Sequence, residues 1–145
     1  MADTPAQAQA HAHLRERWER LGFDALGRPE QEAVALYWLE GELMNGGLHQ
    51  FFGNSSGDLS EHVRSGLQRL DCPVSLGLFD TAVATLGVGS ALASRDARNE
   101  ALQRLGLDVD PFDAETRALQ DLPEDFFRRA LDDLMQEYAS LGGDA

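Results

Sequence analysis

Pro29-Glu30-Gln31-Glu32-Ala33-Val34-Ala35-Leu36-Tyr37-Trp38-Leu39-Glu40-Gly41-Glu42-Leu43-Met44-Asn45-Gly46-Gly47 is the stretch on which the fold turns. Proline suits the first turn of a helix, because the N–H it lacks would have no partner there. From Ala33 to Leu39 the chain is apolar on nearly every side, so a helix over about Glu30 to Met44 must be enclosed by its neighbours. Asn45-Gly46-Gly47 then breaks it. A short helix of about Leu48 to Gly53 is predicted next, followed by a polar loop, Asn54-Ser55-Ser56-Gly57.

Working outward, Leu14, Trp18 and Leu21 stand at helical spacings before this stretch, and Gly22 is a stop. Residues 1–13, rich in alanine and glutamine, are expected to fray. Downstream, Asp58 is a candidate cap for a helix carrying Leu59, Val63, Leu67 and Leu70. Pro73 opens another, with Leu78, Phe79, Ala82, Val83 and Leu86 inward. Ser94 caps a short helix through Leu105, and Asp108 to Asp121 reads as a linker with a turn or two of helix. Pro123 starts the last helix, on which Phe127, Leu131, Leu134, Tyr138 and Leu141 form a stripe. The Leu-Gly pairs at 21–22, 86–87, 105–106 and 141–142 read as four helix ends. No segment alternates with a period of two. The expected class is all-α: one compact bundle of seven or eight helices over residues 14–141, no sheet, and a flexible tail at 142–145.

The 145 residues suit one domain, and 43% apolar content suffices for a core. A single cysteine excludes an internal disulfide. No apolar run approaches the ~18 residues that would span a membrane, and residues 1–13 lack the features of a secretory signal. These features together imply a soluble cytoplasmic domain. All 12 basic residues are arginines, against 25 acids, for a net charge of −13. Such a charge repels nucleic acid and anionic lipid, so direct binding to either is not expected. The acid then either keeps the chain soluble or is a surface offered to a basic partner.

Its distribution is uneven. Residues 1–28 are neutral, 29–70 carry −4, 71–107 carry −1, and 108–145 carry −8 from eleven acids and three arginines. The candidate partner-binding residues are therefore Asp108, Asp110, Asp113, Glu115, Asp121, Glu124, Asp125, Asp132, Asp133 and Glu137. On the last helix Asp132, Asp133 and Glu137 lie off the apolar stripe and face water. Four ion pairs at i, i+4 are expected to blunt the charge there: Glu124 with Arg128, Asp125 with Arg129, Arg128 with Asp132, and Arg129 with Asp133. Only Arg117 interrupts Asp108 to Asp121. For every one of these acids the competing assignment is a solvated face with no partner.

Glu42-Leu43-Met44-Asn45-Gly46-Gly47-Leu48-His49-Gln50-Phe51-Phe52-Gly53-Asn54-Ser55-Ser56-Gly57 is the most unusual segment. Gly46-Gly47 permits a sharp turn between helices, and Phe51-Phe52 anchors the second of them. Asn45, Gln50 and Asn54 are then amides among apolar neighbours, which must find partners if buried. Glu42 can reach the N–H groups opening the next helix. No nucleophile stands beside a base, so Glu42, Asn45, Gly46, Gly47, Gln50, Phe51, Phe52 and Asn54 read as a structural corner.

On these residues the chain resembles the DNA-mimic protein family, with Glu42 three residues before Asn45-Gly46-Gly47, then Gln50-Phe51-Phe52 and Asn54 to Gly57. The resemblance spans about residues 30–141. It implies an all-helical acidic protein, dimeric in the family, that occupies the DNA-binding face of a basic helix-turn-helix regulator. Gly53 departs from the family, where a bulkier residue is expected, and the arginines of the last helix dilute its charge. Carboxylates three or four apart on a helix stand about 5–6 Å from one another and can imitate a short phosphate row. A chain of this length has a radius of gyration of roughly 15 Å, and its width is comparable to one DNA turn of about 34–36 Å.

Other signals are weak. His11 and His13 lack helical metal-ligand spacing, and Glu61-His62 lacks a second histidine. Gly87-Val88-Gly89 lacks the third glycine of a dinucleotide loop, and Cys72 has no histidine near it in sequence. No metal, cofactor or catalytic activity is expected. The alternative to mimicry is an immunity-type or regulatory module that docks through an apolar patch, its acidity serving solubility alone.

Overall fold

The computed structural model describes residues 3–106, 108–122 and 124–142. Among them are eight α-helices and no strand: α1 Pro5–Leu21, α2 Arg28–Asn45, α3 Gly47–Gly53, α4 Ser60–Arg69, α5 Pro73–Leu86, α6 Arg95–Leu105, α7 Asp113–Asp121 and α8 Phe126–Gly142. The all-α class and the helix count agree with the sequence. Helix α2 is the axis, packing against α3, α4, α7 and α8, while α1 lies along α8 and α5 bridges α4 to α7. Ala33, Val34, Ala35, Leu36 and Leu39 of α2 are buried, as a helix apolar all round requires.

Three glutamates on this buried helix are themselves buried, and each is held by a neighbour. Glu30 accepts from Arg17 of α1 at 2.6 and 3.0 Å and from the Tyr138 hydroxyl of α8 at 2.9 Å. Glu32 accepts from Arg28, from Ser65 and, at 2.6 Å, from Arg69 of α4. Arg69 also forks onto Asp133 of α8. Glu42 accepts from Asn54 Nδ2 at 2.9 Å. Beside these ties lies a cluster of Phe51, Phe52, Phe79 and Phe112, with ring centroids 5.3 to 5.9 Å apart. Tilted and edge-on aromatic pairs of this kind each add about 0.5–1.5 kcal/mol beyond burial.

Several expectations are corrected. Helix α1 begins at Pro5 rather than Leu14, because Thr4 and Gln7 form a reciprocal capping box. Gln7 Nε2 then ties the first turn to Asp132 of α8 at 2.9 Å. Asp58 does not cap α4. It pairs with Arg98, whose side chain is fully buried and also donates to the carbonyls of Phe52, Leu92 and Asn54. Asn54 to Gly57 enters a 3-10 turn, Ser55–Leu59, rather than an open loop. Leu141 is 63% exposed, so the apolar stripe of α8 ends at the half-buried Tyr138. The expected start at Pro123 and most of the expected tail lie outside the described residues, and α8 opens at Phe126.

Arg98 links α6 to the turn after α3, and no apolar residue reproduces its four acceptors. Arg98→Met leaves those carbonyls and Asp58 without their donor and should cost about 3–5 kcal/mol. Urea unfolding measures this; an unchanged midpoint would show that the buried cation is not a structural tie.

Candidate functional site

The turn at Asn45-Gly46-Gly47 sets where the acidic C-terminal segment lies. Gly47 has φ +79°, and a Cβ there would stand 2.7 Å from Thr116 Cγ2 of α7. Only glycine allows this approach, which lets the Thr116 hydroxyl accept from Leu48 N–H at 3.1 Å. Gly46 is covered by Gln50, and Gln120 of α7 donates to the Leu43 carbonyl at 2.7 Å. Asn45, expected among apolar neighbours, is exposed, and Glu42 bonds Asn54 instead of the N–H groups of α3. Phe51 and Phe52 are fully buried, as anchors should be.

The ten candidate acids divide into three groups. Asp113, Asp125 and Asp133 meet guanidinium groups, of Arg117, Arg128 and Arg69 respectively. Asp110, Glu124 and Asp132 are engaged by uncharged donors. Asp110 accepts from Phe112 N–H, Asp132 accepts from Gln7, and Glu124 accepts from the Val74 and Ser75 N–H groups and the Ser75 hydroxyl. Glu124 thus supplies, from outside the helix, the capping acceptor that Cys72 at the N-cap of α5 does not. Burial pushes its carboxyl up, but those hydrogen bonds outweigh it and hold the group below its ordinary range. Asp108, Glu115, Asp121 and Glu137 have no ion-pair partner among the described residues.

None of the four pairs expected at i, i+4 on α8 forms. Arg128 turns to Asp3 and Asp125, both at 3.2 Å, and Arg129 donates to the Asp71 carbonyl at 2.7 Å. Asp133, expected to face water, is partly covered by Arg69. The acids therefore do not form one uninterrupted row.

What the fold assembles instead is a groove of about 400 Å³ between α2, α7 and the start of α8. Leu43, Met44, Leu122 and Phe126 give it an apolar wall, and Glu40 and Asp125 are its carboxylates. Asp121 lies between Gln120 and Leu122, both of which line it. Glu40 escaped the sequence analysis because it belongs to a helix assigned to the interior. Its side chain is exposed by area, yet it sits close enough to the apolar wall that desolvation raises its carboxyl above the ordinary range. Asp125 and Asp3 push it the same way, and Arg128 opposes them. A like-charged cluster against an apolar surface favours a cationic ligand, which would relieve that repulsion.

Against known families, the model of the DMP19-like protein family matches residues 24–141. The chain belongs to the DMP19-like family. No match is found among curated proteins or among solved structures. DMP19-like membership agrees with the resemblance to DNA-mimic proteins, and the matched span contains the groove and all ten candidate acids. Among the described residues no cluster of histidine, cysteine, aspartate and glutamate is arranged to hold a metal ion. No described helix is long and apolar enough to cross a membrane. Cys72 is buried beside Arg129, and burial pushes its thiol up, away from the reactive thiolate.

The raised carboxyl of Glu40 fixes the sign of a pH effect. A folded-state pKa above the unfolded one favours the protonated group, so the ionised group opposes folding at neutral pH. Glu40→Gln should therefore raise the melting temperature at about pH 7. The gain should shrink as the pH falls through the raised value and vanish below about pH 4, where the carboxyl is protonated in both states. Calorimetric melts across that range check it, and a lower melting temperature for the variant at neutral pH would contradict the repulsion.

Proposed function

We propose that this chain is a non-catalytic acidic protein that occupies the DNA-binding face of a basic, helix-turn-helix type regulator. The observation that carries the proposal is the acidic groove between α2, α7 and α8 in a member of the DMP19-like family. A basic DNA-binding face presents guanidinium and ammonium groups spaced for phosphates. Glu40 and Asp125 with the adjacent Asp121 would meet such cations, while Met44 and Leu122 offer contact to their aliphatic stems. Asp108, Glu115 and Glu137 would add to the field that steers the partner. Asp110, Asp113, Glu124, Asp132 and Asp133 contribute less, because their carboxylates are engaged within the fold, and Asp125 shares its own with Arg128 at 3.2 Å. A two-fold pair of chains would span two half-sites of the regulator.

The second reading is an immunity-type or regulatory module that docks through apolar contacts. Met44, 78% exposed on the groove wall, favours it. The two differ in what governs the complex, and one experiment separates them. The intact chain is immobilised, a regulator is captured from the native cytoplasm, and the complex is challenged with salt and with duplex DNA carrying that regulator's site. Mimicry predicts at least a tenfold loss of retention between about 50 and 200 mM salt. It also predicts release by the duplex and about tenfold weaker capture by the Glu40→Gln, Asp121→Asn, Asp125→Asn variant. Retention indifferent to salt and DNA but lost in Met44→Ser would establish the apolar module instead.

A further inference from the structure

A second groove, of about 480 Å³, opens between α1, α2 and the Ser55–Leu59 turn, on the opposite side of α2 from Glu40 and Met44. Its walls include Trp18, Phe23, Val34 and Trp38, with Glu42 and Arg95 among its polar groups. Trp18 and Trp38 are the two tryptophans of the chain, and their rings meet edge to face at 6.2 Å and 89°. Trp38 is 38% exposed, more than a large aromatic with a purely internal role needs. Glu42 follows it by four residues and so lies one turn along on the same face of α2.

The Glu42 carboxylate is the unusual element. Its residue is only 8% exposed, and among the described residues no arginine pairs with it. One oxygen, Oε2, accepts from Asn54. The other takes no hydrogen bond from the described residues, and no fully enclosed side-chain oxygen among them lacks a partner. Oε1 is therefore not fully enclosed, and Glu42 is among the residues that line the groove. Asp58, also on the lining, has its charge matched by the buried Arg98. Arg95 is a rim group, held by its Nε to the Gly53 carbonyl at 2.9 Å.

We infer that this groove receives an arginine side chain of a basic protein, its guanidinium plane stacked on Trp38 and its N–H donors directed at Glu42 Oε1. A guanidinium is weakly hydrated, planar and suited both to an aromatic face and to a carboxylate. An apolar occupant would cover the carboxylate and leave it without a donor, which is costly; a neutral polar one could donate but would leave the charge unmatched, and an anion would be repelled. Lysine, a compact and strongly hydrated charge, gains less from the ring. The inference stands apart from the proposal for the α2–α7–α8 groove, since it uses other residues on another face and requires no DNA-binding partner.

The two tryptophans supply the readout. Nα-acetyl-arginine N-methylamide is titrated into the intact chain while the indole N–H signals are followed by NMR, with the isosteric but uncharged citrulline analogue alongside. The arginine probe should shift both signals saturably, and the citrulline analogue should bind at least about tenfold more weakly. Glu42→Gln, whose amide oxygen can still accept from Asn54, should weaken the arginine probe by about tenfold. Arg95→Gln should strengthen it, because a repelling charge is gone. A general loss of structure would not produce those opposite signs. Equal binding of the two probes, or none of the arginine probe, overturns the inference. Should Glu42→Gln fail to fold, Trp38→Leu decides: weaker binding sustains the site, and an unchanged affinity refutes it.

Discussion

The fold depends on carboxylates buried along a helix that is otherwise apolar. A charge taken from water is tolerable only if it is paired or hydrogen-bonded, so each of the three buried glutamates of α2 dictates the position of a partner on another element. Glu30 fixes Arg17 of α1 and Tyr138 of α8, Glu32 fixes Arg69 of α4, and Glu42 fixes the chain at Asn54. Burial pushes the Glu30 carboxyl up. The bonds from Arg17, Gly27 N–H and Tyr138 outweigh it and hold the group below its ordinary value. Apolar packing would let α1, α4 and α8 slide or rotate against α2. The carboxylates set their register.

This constraint also governs how much acid remains for a partner. The net charge counts every carboxylate alike, whereas the fold engages them unequally. Glu30 and Glu32 are neutralised inside, Glu124 is consumed as the capping acceptor of α5, and Asp133 is drawn into the Arg69 bridge. Exposed pairs such as Asp113 with Arg117 contribute little to stability but still weaken the local field. Any surface that meets a cationic partner must be made of what is left, and the α2–α7–α8 groove holds Glu40 beside apolar surface, with Asp125 shared between that groove and Arg128. Its strength comes from placement more than from number.

The helices were largely legible from the sequence, since an apolar run without alternation, prolines in first turns and glycines after terminal leucines are local signals. Leu21-Gly22, Leu86-Gly87 and Leu105-Gly106 do end helices with positive φ at the glycine. The pairing of charges was not legible. Spacing along one helix suggested that Arg128 and Arg129 serve Asp132 and Asp133, but Arg128 meets Asp3 from the N-terminal segment and the local Asp125, and Arg129 meets the Asp71 carbonyl. Pairs at i, i+4 are worth only a few tenths of a kcal/mol, so tertiary partners displace them easily. Arg98 was invisible for a related reason. Nothing in the local pattern distinguishes an arginine bound to four acceptors from one in water, and all of its partners but the Leu92 carbonyl are 40 or more residues away in sequence. Glu40 was missed because the helix that carries it reads as interior, although its own position on that helix turns outward.

The Asn45-Gly46-Gly47 corner joins these two levels. It contributes no charge of its own, yet Gly47 admits α7 to within contact of the turn, and Thr116 meets the Leu48 N–H that the turn leaves without a helical partner. Gln120 fastens the same helix to the Leu43 carbonyl, one residue before Met44 on the groove wall. These bonds fasten α7 to the end of α2 and to the turn after it, and Leu43, Met44, Leu119 and Gln120 line the groove that remains between the two helices. A side chain at position 47 would push α7 away and widen that gap without touching a single carboxylate. The motif therefore acts on the acidic surface through the placement of a helix, and the same corner, through Glu42 and Asn54, shapes the aromatic groove on the other side of α2.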